Sequence, residues 1–401
     1  MVRSKTPTAN PSADAAAMLR RVGFALLFFA VPVTALFARR ALVIVAPVAV
    51  MLIMLAALLD GGSRGPLDKL LSVLLSPAGL AGGILFFWAA LSLLWTPFVA
   101  EAAERLLNIL AMAAMAMVGY LALPDRMRSA NLYILPVGVG MAALMGMVAL
   151  FREGSVAETQ SLDRGMILLV LLLWPAITWL HSRGRNLEAL LLGVIVALGA
   201  LFATDTLALQ ALLIGALAFA VTAFMPVTGS RLTAAIMAGL LLLAPLLPFV
   251  LEPLASAFLG PKAPAAASLA VWKNVILTEP QRLITGHGLE TALRGRLFGL
   301  LPPAAPWSFL FEIWYELGLV GAVAGATLLY SAVTASRGER PVLGPGIMAA
   351  FASAYALGCL GVATAQIWWL TALIVVVLIF VAIERGQFRT TRPKAILRPV
   401  H

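Results

Sequence analysis

The sequence predicts an all-α, polytopic membrane protein of about 12 transmembrane helices with one long periplasmic loop. Three observations carry that expectation. Of 401 residues, 62% are hydrophobic and only 11% charged, and the mean hydropathy is +1.00. A soluble domain is about 45–50% apolar and about 25% charged, so this chain has too few polar residues to cover a water-facing surface, and intrinsic disorder is excluded with the soluble fold. The apolar residues also come in continuous runs near the roughly 20 residues that a helical span needs, without the period-two alternation of a membrane barrel. Finally, the basic residues are distributed unequally between alternate loops.

In chain order the runs place spans near 22–38, 41–59, 79–98, 105–123, 131–151, 165–181, 187–203, 207–225, 232–251, 309–333, 346–362 and 365–384. Only Ala38-Arg39-Arg40 divides the first two. The run from Gly23 to Phe37 leads straight into another apolar run, so it reads as a span and not as a signal peptide. Residues 1–401 form a single transmembrane domain in this reading, and 252–308 is the long periplasmic loop with short helices inside it. Ser268–Leu277 has the pattern of an amphipathic helix that Thr278-Glu279-Pro280 ends, because proline cannot continue a helix interior. Pro302, Pro303 and Pro306 break the chain before the next span.

With both termini inside, the cytoplasmic segments hold Arg3, Lys5, Arg20, Arg21, Arg64, Lys69, Arg126, Arg128, Arg183, Arg185, Arg231, Arg337, Arg340, Arg385, Arg389, Arg392, Lys394 and Arg398, which is 18 of the 28 Lys and Arg. The short outer loops hold five: Arg39, Arg40, Arg105, Arg152 and Arg164. Positive charge retained inside explains the net charge of +10 without a nucleic-acid partner, and the polypeptide's own partners include membrane lipids. The single Cys359 excludes a disulfide framework and a Cys-based metal site, and His181, His287 and His401 are too scattered for a His-rich one. The sequence carries no signal for an oligomeric state.

A charged side chain at the centre of a span costs about 2.5–3.5 kcal/mol on insertion scales, so the minority of charges on the outer side are the candidates for chemistry: Arg105, Arg164, Asp205, Lys273, Arg282, Glu290, Arg294, Arg296, Glu312 and Glu316. Arg164, where an outer loop enters a span, either pairs with Asp163 at the interface or binds an anion. Asp205 is read as a helix cap in preference to a catalytic group. Arg294 and Arg296 follow Gly286-His287-Gly288, where glycines permit a tight turn, and guanidinium groups hold phosphate bidentately. His287 is either a base, its ordinary pKa lying near neutrality, or a turn residue. Glu312 and Glu316, four apart, share a helix face. Each either pairs with a loop arginine or also touches substrate.

The order of these motifs resembles the O-antigen ligase and O-antigen polymerase superfamily of bacterial envelope glycan enzymes over most of the chain. Leu91–Pro97 (LSLLWTP) is similar to a Leu-Trp-Ser stretch at an outer span end. Asp163-Arg164-Gly165 with Trp174-Pro175 resembles an Asn-Arg-Gly entry, and Val271-Trp272 through Gly286-His287-Gly288 resembles an Arg-x-x-x-Trp…Pro-x-x-Gly-x-Gly loop. Ser308, Gly318 and Gly321 fit the spacing of a signature that begins with His, and Gln366-Ile367-Trp368-Trp369 resembles a tryptophan pair in the last span. Two positions depart: Trp307 stands where the signature has His, and Ser268 where the loop has Arg.

The resemblance implies a GT-C-like inner-membrane glycosyltransferase, with both termini cytoplasmic. It would transfer or polymerise an undecaprenyl-pyrophosphate-linked oligosaccharide donor onto a glycan or lipid acceptor at the periplasmic face, without metal or other cofactor. Arg164, Arg294, Arg296, Arg282 and Trp272 would then bind substrate. Glu316, Glu312 or His287 would move the proton, with His287 in place of the missing signature His. Arginines meeting the leaving pyrophosphate and a base for the acceptor hydroxyl suit such chemistry, and no dense carboxylate cluster for Mg²⁺ is visible. Two other readings stay open. A non-catalytic relative is suggested by Trp307 and Ser268. A secondary transporter would carry its ionisable residues near mid-membrane, whereas here they gather at the outer ends.

Overall fold

The computed structural model describes residues 11–38, 40–61, 65–125, 129–151, 156–336, 341–361 and 366–386. Arg3, Lys5, Arg39, Arg64, Arg126, Arg128, Arg152, Arg337, Arg340, Arg389, Arg392, Lys394, Arg398 and His401 lie outside the described residues. The chain is an all-α multi-pass membrane protein, and no strand occurs among the described residues. Its principal helices are α1 (Pro11–Phe37), α2 (Ala41–Leu59), α3 (Pro66–Leu74), α4 (Pro77–Leu91), α5 (Val99–Ala122), α6 (Ile134–Leu150), α7 (Val156–Ser182), α8 (Asn186–Phe202), α9 (Leu207–Phe224) and α10 (Pro226–Leu242). They continue with α11 (Leu247–Leu259), α12 (Pro264–Thr278), α13 (Thr291–Leu297), α14 (Phe309–Ala335), α15 (Gly344–Leu360) and α16 (Ile367–Glu384). Each of the twelve apolar runs is helical. Eight are long and apolar enough to cross a bilayer, α10 and α11 form one bent pair, and α6, α8 and α15 are shorter apolar helices.

Helix α7 is the hub. From Met166 to Leu173 every side chain is buried, as expected of a helix that is apolar all round, and it packs against α1, α6, α8, α9, α15 and α16. A second apolar cluster joins Leu241 and Ala244 to Trp272, Phe311 and Trp314, so the segment after α11 is tied to the first turns of α14. At the end that the sequence assigns to the cytoplasm, polar contacts close the helix ends: Arg20 with Asp60, Lys69 Nζ with Asp125 at 2.6 Å, and Arg385 Nη1 donating to the carbonyls of Tyr120 (2.9 Å) and Leu123 (2.7 Å). The hydrogen bond from Lys69 pulls the Asp125 carboxyl below its ordinary value.

Three spans depart from straight helices. A π-helical turn, Leu26–Ala30, precedes Pro32 in α1 and absorbs the hydrogen bond that a proline cannot make. The expected span 232–251 ends early at Leu242, and the chain turns through Ala244–Leu246 into α11 with a bend of 59°. Pro245 and Pro248 remove two N–H donors within one turn there, so the ladder cannot continue. The expected span 309–333 is broken at Gly318, whose φ of 62° and ψ of −155° are non-helical.

Candidate functional site

The site is built on the break in α14. A glycine at positive φ interrupts the i→i−4 ladder, so carbonyls just before it lose their helical partners. Three of them are recovered from outside the helix. His287 N donates to Tyr315 O (2.8 Å), Gly288 N to Glu316 O (2.9 Å) and Trp88 Nε1 to Leu317 O (2.8 Å). The Gly286-His287-Gly288 turn therefore docks edge-on into the broken helix. The fit depends on missing side chains: a Cβ on Gly286 would stand 2.2 Å from Glu316 O, and one on Gly318 would stand 2.6 Å from Ile284 O. Thr96, from the loop before α5, holds the same turn by donating from Oγ1 to Leu289 O (2.8 Å).

This docking brings charged groups together. Arg105, in the second turn of α5, donates from Nη1 to Glu316 Oε2 (2.9 Å) and Oε1 (3.2 Å) and to Glu290 Oε2 (3.1 Å). Glu316 is 2% exposed and also accepts from Ala292 N (3.2 Å). Glu290, a non-glycine residue at positive φ (71°), opens α13 and faces Arg294 Nε at 3.6 Å. Burial raises the Glu290 carboxyl, against the pull of Arg105 and Arg294. Glu312 is buried and lies within the field of both Arg105 and Arg296. Three carboxylates and three guanidinium groups thus gather at the N-terminal part of α14.

Arg296 sits at the edge of this cluster. It donates from Nη2 to Pro306 O and lies over the Trp307 ring, with Cζ 4.1 Å from the centroid. Its Nε and Nη1 are buried without a hydrogen-bond partner, as is Nε of Arg294. Burial lowers the Arg296 guanidinium, opposed by Glu312 and Glu316. Unpaired buried donors are uncommon and call for an acceptor. Anionic oxygens from a ligand would supply one.

His287 lies on the other side of the break. Its ring stacks on Tyr315 (4.0 Å, 15°), Nδ1 bonds Tyr315 O at 3.0 Å, and Nε2 faces Glu279 Oε2 at 3.2 Å. A carbonyl can only accept, so Nδ1 carries the proton of the first bond. Trp272 is buried edge-on to Phe311 (5.6 Å). Arg282 is exposed at the rim, 3.9 Å from Glu279. Arg164 stands elsewhere, over the ring of Trp368 on α16 at 5.5 Å. Its neighbour Asp163 accepts from the backbone of Thr204 and Asp205, and Asp205 caps α9 by accepting from Leu207 N (3.1 Å).

Of the residues singled out in the sequence, Glu312, Glu316, Arg294 and Arg296 meet in one cluster. His287, Trp272 and Arg282 line an adjoining cleft with Glu279 and Trp314. Arg105 and Glu290, also among the outer charges, complete that cluster, and the partner of Glu316 is Arg105 and not a loop arginine. The available signal for Arg105 was its place one turn inside the outer end of an apolar helix in a chain with few charges. Among the described residues no group of His, Cys, Asp and Glu is arranged to hold a metal ion.

Helix α14 also lines a cavity of about 500 Å³, with Phe309 and Ile313 from before its break, and α15 and α16 close it with Phe351, Tyr355, Trp369 and Phe380. Its lining is almost wholly apolar. Beyond the break, Gly325, Leu328 and Leu329 of α14 line it again.

No family model matches this chain, and no solved structure matches it. A Rickettsia conorii protein (strain ATCC VR-613 / Malish 7) named "Putative polysaccharide ligase" is 28% identical over 228 residues, covering 53% of this chain and 55% of that protein. The chain thus spans about half the length of the curated relative it matches.

Proposed function

We propose that the protein is a glycan-processing transferase of the O-antigen ligase and polymerase type, working at the outer face of a bacterial inner membrane on an oligosaccharide carried by a polyprenyl pyrophosphate. One observation carries this reading: a buried arginine and carboxylate cluster and an apolar cavity share the same helix, α14. A lipid-linked donor has the same two-part chemistry. The prenyl chain suits an almost wholly apolar cavity that borders α14 on both sides of its break. The pyrophosphate suits Arg294 and Arg296, whose unpaired N–H groups would donate to its oxygens and stabilise the charge that develops as the sugar leaves. Glu316 or Glu312 would take the proton of the acceptor hydroxyl. His287 is the other base in reach of the same break. Arg164 would contribute only if substrate also contacts the Trp368 region, and Arg282 and Trp272 would border the bound sugar. The named Rickettsia relative supports a polysaccharide substrate, and the charge tally supports cytoplasmic termini.

The experiment is a deletion strain. It should accumulate lipid-linked glycan, and the wild-type gene should clear it while Arg294→Ala and Arg296→Ala do not. Unchanged envelope glycan in the deletion strain, or full rescue by both variants, would reject the mechanism. A reporter fused to the C-terminus should be active only on the cytoplasmic side.

A second reading has its own observation. Trp307 covers the guanidinium of Arg296, and Glu279 engages Nε2 of His287, so the protein itself occupies two groups that a catalyst would present. A non-catalytic glycan-binding relative would bind lipid-linked sugar in purified form without transferring it.

A further inference from the structure

The segment after the 59° bend reverses the usual polarity of a surface helix. On a water-facing surface, an amphipathic helix turns its apolar stripe toward the protein and its polar residues outward. In α11 the apolar side chains point out: Val250 is 60% exposed, Leu254 49%, Phe258 84% and Leu259 65%. The polar ones point in. Glu252, the only ionisable residue of the helix, bonds Lys273 of α12 at 3.2 Å, and Ser256 donates to the same carboxylate at 3.2 Å. Lys273 also lies 6.0 Å over the Phe249 ring. A helix with an apolar outer face and a satisfied polar inner face is matched to hydrocarbon and not to water, because lipid offers no partner to an outward polar group.

We propose that α11 lies in the outer lipid layer, its Val250, Leu254 and Phe258 face against acyl chains, and is not part of a water-exposed loop. Its occupant follows from continuity. The helix leaves α10, a lipid-embedded segment, after a turn of only a few residues, and the row of exposed side chains runs on from Leu243 and Leu246 at the bend. Helix α11 then acts as a float. The Glu252–Lys273 bond fixes α12 to it, α12 carries Trp272, and Trp272 packs on Phe311 in the half-helix that bears Glu312 and Glu316. The depth of α11 in the bilayer therefore sets the depth of the charged cluster, and places it at headgroup level. The inference concerns where the polypeptide sits and holds whatever reaction the cluster performs.

The test is spin labelling of the full chain in phosphatidylethanolamine/phosphatidylglycerol nanodiscs, on a Cys359→Ser background. Single cysteines are placed by Phe258→Cys, Leu254→Cys, Lys262→Cys and Asn274→Cys, the last two at exposed sites in and after the α11–α12 turn. Oxygen should collide with the labels at 254 and 258 more often than a water-soluble nickel chelate does, and the order should reverse at 262 and 274. Leu254→Cys carries the measurement if Phe258→Cys does not yield monodisperse protein. Nickel access at 254 and 258 equal to that at 262 would overturn the proposal. So would labels reached by neither probe with spectra that broaden as protein per disc rises, since a second copy of the chain would then cover the face.

Discussion

Arg105 is the member of the cluster whose removal has the most readable consequence. Its guanidinium is shared by Glu316 and Glu290 at 2.9–3.2 Å, with side-chain exposures of 13%, 3% and 6%. Arg105→Met keeps the volume and removes the charge. Glu290 retains Arg294 at 3.6 Å, but Glu316 loses its ionic partner in a site that water does not reach. Breaking a buried pair by deleting one partner costs about 3–5 kcal/mol, chiefly the cost of the stranded charge. One kcal/mol shifts the midpoint by roughly 2–4 °C in chains of 150–250 residues and by less in a longer one, so a loss on the order of 5 °C is expected. The half-buried lone thiol of Cys359 makes a thiol-reactive fluorophore a direct reporter of unfolding in detergent. The diagnostic variant is Arg105→Met/Glu316→Gln. An amide in place of the stranded carboxylate should recover most of the loss, and because the two residues touch, their effects should be non-additive by about 0.5–3 kcal/mol. If the double variant melts no higher than Arg105→Met alone, the stranded-charge account is wrong, and Arg105 acts through packing.

Gly286→Ala and Gly318→Ala should each lose at least about 2 kcal/mol of stability, because the added Cβ meets backbone at 2.2 and 2.6 Å and both residues hold positive φ; melting curves as stable as wild type would show that the turn can dock otherwise. Trp307→Ala should weaken retention of Arg296 by about 0.5–2 kcal/mol, with Trp307→Phe intermediate, since the cation lies over the ring; equal melting temperatures for the two variants would remove the stacking term. The Lys69–Asp125 pair stabilises through a depressed carboxyl, so its contribution is present above the ordinary Asp range and is lost as pH falls through the lowered value. Asp125→Asn should therefore flatten the acid limb of a pH–stability profile below about pH 4, by no more than about 1 kcal/mol for so exposed a pair.

The spans were legible in the sequence because their signal is additive. Every residue from Met166 to Leu173 contributes to one apolar run, and no single side chain has to be interpreted. The two main breaks were not legible for the opposite reason. Pro245 and Pro248 lie inside an apolar run that continues on both sides, and the polarity of Glu252, Ser256 and Lys273 shows its direction only once α12 is packed against α11. Gly318 is harder still. A glycine in an apolar helix costs about 1 kcal/mol and is usually tolerated as helix, and what makes this one a break is a turn that lies about 30 residues earlier in the chain.

The charged site shows the same division between composition and partnership. Glu312 and Glu316 were conspicuous as carboxylates in an apolar span, and their spacing placed them on one face. Their partner was open, because helical spacing says nothing about which other helix end lies opposite. The loop arginines were nearest in sequence, yet Arg105 is the residue that faces Glu316. Of the loop arginines, Arg294 reaches only Glu290, while Arg296 is held by Pro306 and Trp307. The broken helix explains that exchange. With α14 interrupted at Gly318, Gly288 N takes the Glu316 carbonyl and Ala292 N its carboxylate, so the loop meets Glu316 through backbone N–H groups. Nε of Arg294 and both Nε and Nη1 of Arg296 have no hydrogen-bond partner beside it. The backbone contacts that hold the loop against Glu316 are therefore a consequence of one glycine's backbone angle, and not of the arginines' spacing. Restoring a regular helix there should release the Gly286-His287-Gly288 turn from the Tyr315 and Glu316 carbonyls even with every arginine in place.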